Sequence, residues 1–211
     1  MTFLPFPTIL VKQPIPAATC TWDPASLQGA IVLLPGASGP DLVMRNDGTG
    51  PYGADIGTVG KNSGLRYFEV VIEGSLGGLV AGGVGISQAA NTVSPYTFGG
   101  SGYGIQFSSD GNLKDADTFG TIVGYGPNSF GSGKVVVMTA INFSTLKYWG
   151  GIDGTFVGNP SAGTGGQPII AGTYFPACQI AITGTETMSA TGNFSAGTWT
   201  YLPPPGFSQW R

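Results

Sequence analysis

The sequence predicts an all-β protein: an antiparallel β-sandwich preceded by an extended Pro-rich arm. Three observations carry this. From residue 20 onward, Gly, Pro, Ser, Thr and Asn recur every few residues, with Val, Ile, Phe, Tyr and Thr between them. That rhythm marks many short strands joined by turns. No stretch shows a convincing helical apolar period. Glycine accounts for 37 of 211 residues and charged residues for only 9%, while hydrophobic residues reach 41%. Such a chain can bury a core under a neutral, Gly-rich surface, unlike the highly charged composition of a disordered segment. Ten or more strands without crossover helices pair antiparallel and stack face to face.

Taken in order, residues 1–19 read as the arm. Pro5, Pro7, Pro14 and Pro16 exclude a helix there, because each fixes φ and removes an N–H donor. Its apolar side chains Phe3, Leu4, Phe6, Ile9, Leu10 and Val11 still need burial. They find it either as an edge strand on their own domain or against a neighbouring subunit. Residues 20–211 form one domain, since no linker divides them. The expected strands are 30–34, 41–45, 65–73, 79–86, 103–108, 120–124, 134–142, 145–150, 174–182 and 198–201. Lys134 to Asn142 is apolar on both faces, which makes it a central strand. Phe143-Ser144-Thr145 turns the chain, and Leu146 to Gly150 returns. Asp153-Gly154 is a hairpin dipeptide, because Gly adopts positive φ without penalty. Gly158 to Gln167 is an uncharged loop with four glycines.

Composition also removes whole classes of function. The chain has no histidine, so Ser-His-Asp and Cys-His catalysis, His-ligated zinc and a His base are excluded. Cys20 and Cys178 cannot build a four-thiolate site and are expected to be reduced, buried thiols, with a disulfide between them left open. Eight scattered Lys and Arg residues at net charge −3 do not form the basic face that nucleic acid requires. No apolar run approaches ~20 residues, so no membrane insertion is expected. The N-terminus lacks a basic region and a small-residue cleavage site, so no signal peptide is expected.

Several pieces then line up in order. Gly57-Thr58-Val59-Gly60-Lys61-Asn62-Ser63-Gly64-Leu65-Arg66-Tyr67-Phe68-Glu69-Val70 carries a Ser-Gly pair followed by an aromatic-aromatic-Glu-Val strand. Trp22-Asp23-Pro24-Ala25 precedes it. Val84-Gly85-Ile86, Gly102-Tyr103-Gly104, Ser109-Asp110-Gly111, Phe130-Gly131-Ser132-Gly133, Lys147-Tyr148-Trp149, Tyr174-Phe175-Pro176-Ala177, Asn193-Phe194 and Pro204-Pro205-Gly206-Phe207 follow. Over about 190 residues this order resembles the SPRY domain family. The resemblance implies a concanavalin-A-like jelly-roll sandwich of two bent antiparallel sheets. Lys134 stands where the family usually has Asp, and Asp153-Gly154 where it has Asn-Gly; both positions are turns. The loop 158–167 resembles the SPRY-type virion proteins of bacteriophages more than animal adaptors.

Chemistry on this frame is sparse. Glu69 and Glu73 share a strand face, and a carboxylate pair at ~5–5.5 Å would serve a retaining glycosidase. Glucanases on the same sandwich resemble Glu-x-Asp-x-Glu, but Val71 breaks that pattern, and both are read as surface or rim carboxylates. Asp110, Asn112, Asp115 and Asp117 lack calcium-loop spacing and read as a solvated turn. Lys61 is outside any phosphate-loop motif, and Gly102-x-Gly104 is too short for a dinucleotide site. No Ser occupies a Gly-x-Ser-x-Gly elbow. No metal or cofactor is expected. Trp149 and Trp199 are expected in the core and Trp210 in a more open position.

What remains is aromatic surface in the Gly-rich loops 91–133. The resemblance places the ligand surface on loops at one edge of the sandwich, where aromatic faces and amides suit sugars or peptides. The candidates there are Asn91, Tyr96, Phe98, Asn112, Tyr125 and Asn128. Phe3, Leu4, Phe6, Ile9 and Leu10 are the candidate assembly arm. The leading expectation is a non-enzymatic bacteriophage virion component: a tail-fibre, tail-tip or head-surface protein. It would engage a host-surface carbohydrate or protein, or other virion proteins, and self-associate as a homo-oligomer. It would be made in the host cytoplasm. The alternative is a cytoplasmic SPRY adaptor binding a short peptide of a protein partner. A second alternative is a carbohydrate-active enzyme on the same sandwich.

Overall fold

A computed structural model describes residues 19–29, 31–36, 39–46, 52–74, 82–88, 104–108, 112–115, 121–124, 133–181 and 188–211. The expected arm lies outside these residues. Along the chain the strands are β1 (Gln28–Gly29), β2 (Ile31–Gly36), β3 (Gly39–Asn46), β4 (Tyr52–Ile56), β5 (Leu65–Gly74), β6 (Gly82–Ser87), β7 (Gly104–Ser108) and β8 (Asn112–Asp115). They continue with β9 (Thr121–Gly124), β10 (Gly133–Asn142), β11 (Lys147–Ile152), β12 (Thr155–Phe156), β13 (Gln167–Pro168), β14 (Phe175–Ala181), β15 (Met188–Asn193) and β16 (Ser208–Gln209).

Two sheets stack. A seven-stranded sheet runs β1-β4-β14-β6-β7-β8-β9. A nine-stranded sheet runs β12-β11-β10-β5-β15-β3-β2, with β13 beside β11 and β16 beside β5. The main core fills the space between them. Phe68, Val70 and Ile72 of β5 and Val137 and Ile141 of β10 meet Val84, Ile86, Ile105, Cys178 and Ile180 of the facing sheet. Trp22 closes one end, its Nε1 donating to Ala190 O at 3.3 Å.

The expected antiparallel sandwich is present, and its central strand is where the pattern placed it. β10 pairs with β5 on one side and β11 on the other. The Asp153-Gly154 hairpin also forms: φ is +46° at Asp153 and +86° at Gly154, the positive pair of a type I′ turn. Asp153 Oδ1 accepts from Val136 N at 2.9 Å and ties this turn to β10.

Three expectations differ. Residues 198–201 form no strand; a single 3₁₀ turn, Ala196–Thr198, precedes an irregular run. Trp210 is not open but fully buried, its Nε1 donating to Val59 O at 2.6 Å and its ring edge-on to Phe68. One pairing is parallel, β16 on β5, because the chain end returns beside the segment of β5 that β15 leaves free. β4, β8 and β15 were not expected, nor were the two-residue strands β1, β12, β13 and β16. β4 and β15 carry small residues at Gly53, Ala54, Ser189, Ala190 and Gly192, and at Gly53 a Cβ would lie 1.9 Å from Ile31 Cγ2. Tertiary packing there selects against the bulky side chains that signal a strand.

Cys20 and Cys178 are both free and buried. Burial pushes the Cys20 thiol up to about 12 and the Cys178 thiol well above its ordinary value, so neither is a thiolate. Cys178 sits opposite Asp55, a carboxyl inside the sandwich. Asp55 Oδ1 accepts from Ser26 Oγ and from Ile56 N, the latter at 2.8 Å. Its Oδ2 has no partner among the described residues. Burial raises its pKa to about 7. The unfolded chain releases this proton near pH ~4, so between ~4 and ~7 the native state binds more protons. Stability from this group is therefore full below pH ~4 and falls as pH rises, by about 1.4 kcal/mol per unit while only the folded form stays protonated. With no histidine in the chain, the urea midpoint is expected to fall from pH 5 to pH 7.5. Asp55→Asn should flatten that slope. A flat wild-type profile would refute the assignment.

Candidate functional site

β5 and β10 are apolar on both faces, so the nine-stranded sheet has an outer face that also needs cover. Tyr67 and Val71 of β5, Val136, Met138 and Ala140 of β10, and Trp149 of β11 form a second buried cluster there. The chain end supplies the lid. Residues 196–207 cross this face as a strap, with Trp199, Tyr201 and Phe207 packed on the cluster. Trp199 meets Tyr67 edge to face at 5.0 Å between ring centroids.

Glu69 pins the strap. It is fully buried, not the surface carboxylate expected. The sequence places it on the outer face of β5, and the strap then covers that face. Glu69 Oε1 accepts from Tyr67 OH at 2.7 Å and from Tyr201 N at 2.8 Å, and Oε2 accepts from Thr200 N at 2.7 Å. Two backbone amides and a phenol thus solvate the carboxylate in place of water. Burial, followed by the neighbouring Glu69, holds the Tyr67 phenol far above its ordinary value, so it remains a donor. Glu73, two turns of the pleat further along, is half-exposed and pairs with Lys134 at 2.7 Å. The two carboxylates therefore do separate structural work and do not face a common cleft.

Beside the strap lies an open groove of about 360 Å³. Its floor is Met138, Gly154 and Phe156. One wall is the loop Gly158–Ser161 and the other is Leu202 with Pro203, Pro204 and Pro205. The loop wall is held from behind. Lys147 Nζ donates to Gly163 O at 2.8 Å, and Trp149 Nε1 donates to Thr164 O at 2.9 Å. Asn159 and Thr164 exchange backbone hydrogen bonds at 2.8 and 3.0 Å. Gly158, at φ +77°, passes so close to Gly165 that a Cβ would lie 2.8 Å from its backbone. Leu202 stands at the rim, 93% exposed.

The loop-edge candidates fare differently. Asn112 starts β8, half-buried and opposite Gly124. Asn91, Tyr96, Phe98, Tyr125 and Asn128 lie outside the described residues, as do Asp110, Asp117 and the arm residues Phe3, Leu4, Phe6, Ile9 and Leu10. Asp115 sits in β8 opposite Ile105. Among the described residues no cluster of three metal-ligating side chains occurs. Trp149 is buried as expected and Trp199 only partly. Leu202, Phe156 and Pro160 were not among the site residues expected from the sequence. The Leu-Pro-Pro-Pro run at 202–205 was the available signal, since prolines fix an extended backbone that cannot join a sheet.

The strap's dependence on Glu69 is testable by urea unfolding and limited proteolysis. Glu69→Ala leaves the buried Tyr67 phenol and two part-buried strap amides without an acceptor and should cost about 2–4 kcal/mol. Glu69→Gln retains one acceptor oxygen and should lose less. Both variants should become cleavable at 198–205 before global unfolding. An unchanged midpoint in Glu69→Ala would remove the anchoring role.

No protein-family model matches the chain, and no curated protein matches it. Solved structures do resemble it. The SPRY domain of human HERC1 aligns with a TM-score of 0.53 at 12% identity, over 82% of this chain and 96% of that one. A human SPRY domain aligns with a TM-score of 0.49 at 17% identity, over 79% of this chain and 96% of that one. The TRIM65 PSpry domain aligns with a TM-score of 0.48 at 13% identity, over 82% and 92%. The likeness to the HERC1 domain shows that this chain has the SPRY-type sandwich fold.

Proposed function

We propose that the chain is a non-enzymatic binding module that holds a short, uncharged peptide segment of a protein partner in the groove beside the strap. The observation that carries this is Leu202, an almost fully exposed leucine on the rim of a groove with no charged side chain in its lining. A charged ligand group entering it would lose hydration without gaining a counter-charge. An apolar side chain would gain by covering Leu202 and the exposed part of Phe156. The wall of three prolines offers carbonyl oxygens and no N–H. It therefore suits a ligand rich in N–H donors, which describes a peptide backbone. Asn159 and Ser161 add exposed polar groups on the opposite wall.

This is the adaptor reading of the SPRY resemblance. The likeness to a human SPRY domain favours it over the virion reading, which rests on the sequence resemblance alone. Within the described residues, Glu69 is committed to the strap and Glu73 to Lys134, so the glucanase reading has no carboxylate pair to work with.

Ten-residue peptides selected from a displayed random library against the full chain test the proposal. Selected peptides should be uncharged with an apolar anchor. Leu202→Asp, at a site too exposed to disturb the fold, should weaken them about tenfold, the effect of uncovering one leucine-sized contact. Peptides that bind Leu202→Asp unchanged place the site elsewhere, the loop edge at 91–130 included, and refute the groove. No enrichment over the starting library refutes the module.

A further inference from the structure

Lys61 and Arg66 stand close together where the loop 57–64 enters β5, on residues that do not line the groove. Both are anchored. Lys61 N donates to Tyr174 O and Tyr174 N donates to Lys61 O, each at 2.8 Å. Three hydrogen bonds fix the Arg66 guanidinium. Its Nε donates to Ser63 O at 3.1 Å, and its Nη1 donates to Ser208 Oγ at 3.0 Å and to Gln209 O at 3.3 Å. Its Nη2 takes no part in these and lies over Gly64, 3.5 Å from where a Cβ would stand.

No described carboxylate balances this pair. Glu73 is paired with Lys134, and Glu69 accepts from the strap. Asp55 accepts from Ile56 N, Asp23 from Ala25 N and Asp153 from Val136 N. Among the described residues the Lys61 ammonium, partly exposed, has no ion-pair partner. Burial, followed by the Arg66 charge, lowers its pKa, as expected of two cations with no anion between them.

The backbone beside them is one-sided in the same sense. Its carbonyls are taken: Lys61 O by Tyr174 N, Ser63 O by Arg66 Nε and Gly64 O by Phe143 N at 3.1 Å. Its donors are not. Asn62, Ser63 and Gly64 are exposed, and among the described residues no acceptor takes their N–H groups. The chain bends here, with Gly64 at φ +79°. A bend of this kind turns successive N–H groups toward one side, where they can cradle an anion.

We infer that Lys61, Arg66 and the backbone amides of 62–64 form a binding site for a phosphate monoester. A carboxylate offers two oxygens in one plane. A phosphate monoester offers three, spread so that the guanidinium Nη2, the ammonium and the bend each reach one. It also carries a charge of about −1.5 to −2 at pH 7, which two cations balance. Because Arg66 is already held by Ser63, Ser208 and Gln209, its free donor is set in place before the ligand arrives.

The test titrates the full chain with inorganic phosphate at constant ionic strength set by sodium chloride, followed by amide NMR. Saturable shifts centred on residues 61–66 are expected. Lys61→Gln keeps the backbone bonds to Tyr174 and should weaken phosphate about tenfold, the loss of one charge-assisted hydrogen bond. Lys134→Gln, which removes a charge elsewhere, should leave the affinity unchanged. Shifts that do not saturate, unchanged affinity in Lys61→Gln, or an equal loss in both variants overturns the site. Two further ligands identify the source of the oxyanion. A phosphoserine peptide that binds more tightly than inorganic phosphate, while its unphosphorylated twin leaves these amides unmoved, assigns it to a protein partner. A sugar phosphate that binds more tightly assigns it to a free metabolite. Either result supports the site.

Discussion

The acceptance of two strap amides by Glu69 is the interaction on which the outer half of this molecule depends. β5 and β10 lie at the centre of the nine-stranded sheet and carry apolar side chains on both faces. One face is covered by the other sheet. Among the described residues no sheet covers the second face, and the strap of residues 196–207 takes that place. An irregular segment laid on a sheet cannot satisfy its backbone through a ladder. Glu69 supplies the acceptors instead, from a position where burial would otherwise make a carboxylate costly. The charge and the strap solve each other's problem.

The groove follows from that arrangement. Glu69 fixes Thr200 and Tyr201, and Tyr201 lies against the hairpin turn, about 3.0 Å from where a Cβ on Gly154 would stand. The chain then leaves the sheet at Leu202 and runs through three prolines to a turn, in which Phe207 N donates to Pro204 O at 3.0 Å. Phe207 returns to the cluster beside Trp149. Between the two anchored points, Leu202–Pro205 bows outward and forms a wall. The opposite wall is held by Lys147 and Trp149 from beneath. Both walls are thus fixed by contacts outside the groove.

The two outer faces of the sandwich are handled differently. The nine-stranded sheet is closed by the chain's C-terminal strap with matched hydrogen bonds. The seven-stranded sheet buries Gln106 and Gln179 over a floor of glycines. The absent Cβ at Gly83 makes room for the Gln106 side chain, and the one at Gly85 for the Ile105 carbonyl of the neighbouring strand.

The amino-acid sequence alone determined the fold class, the central place of β10 and the Asp153-Gly154 hairpin. These rest on short-range physics: turn formers at fixed spacing, β-branched runs, and positive φ at a defined dipeptide. The chain-order resemblance to SPRY domains also lay in the sequence, carried by pieces such as Tyr67-Phe68-Glu69-Val70. The tertiary structure alone decided the fate of Glu69 and Trp210. Their neighbours Thr200, Tyr201 and Val59 are more than 130 residues away in sequence, and no local pattern encodes such a meeting. β4 and β15 were illegible for the same reason, since their small residues are chosen by what packs against them. The groove came from two segments that look like loops in the sequence. Only their anchoring on a shared sheet face makes them walls of one site.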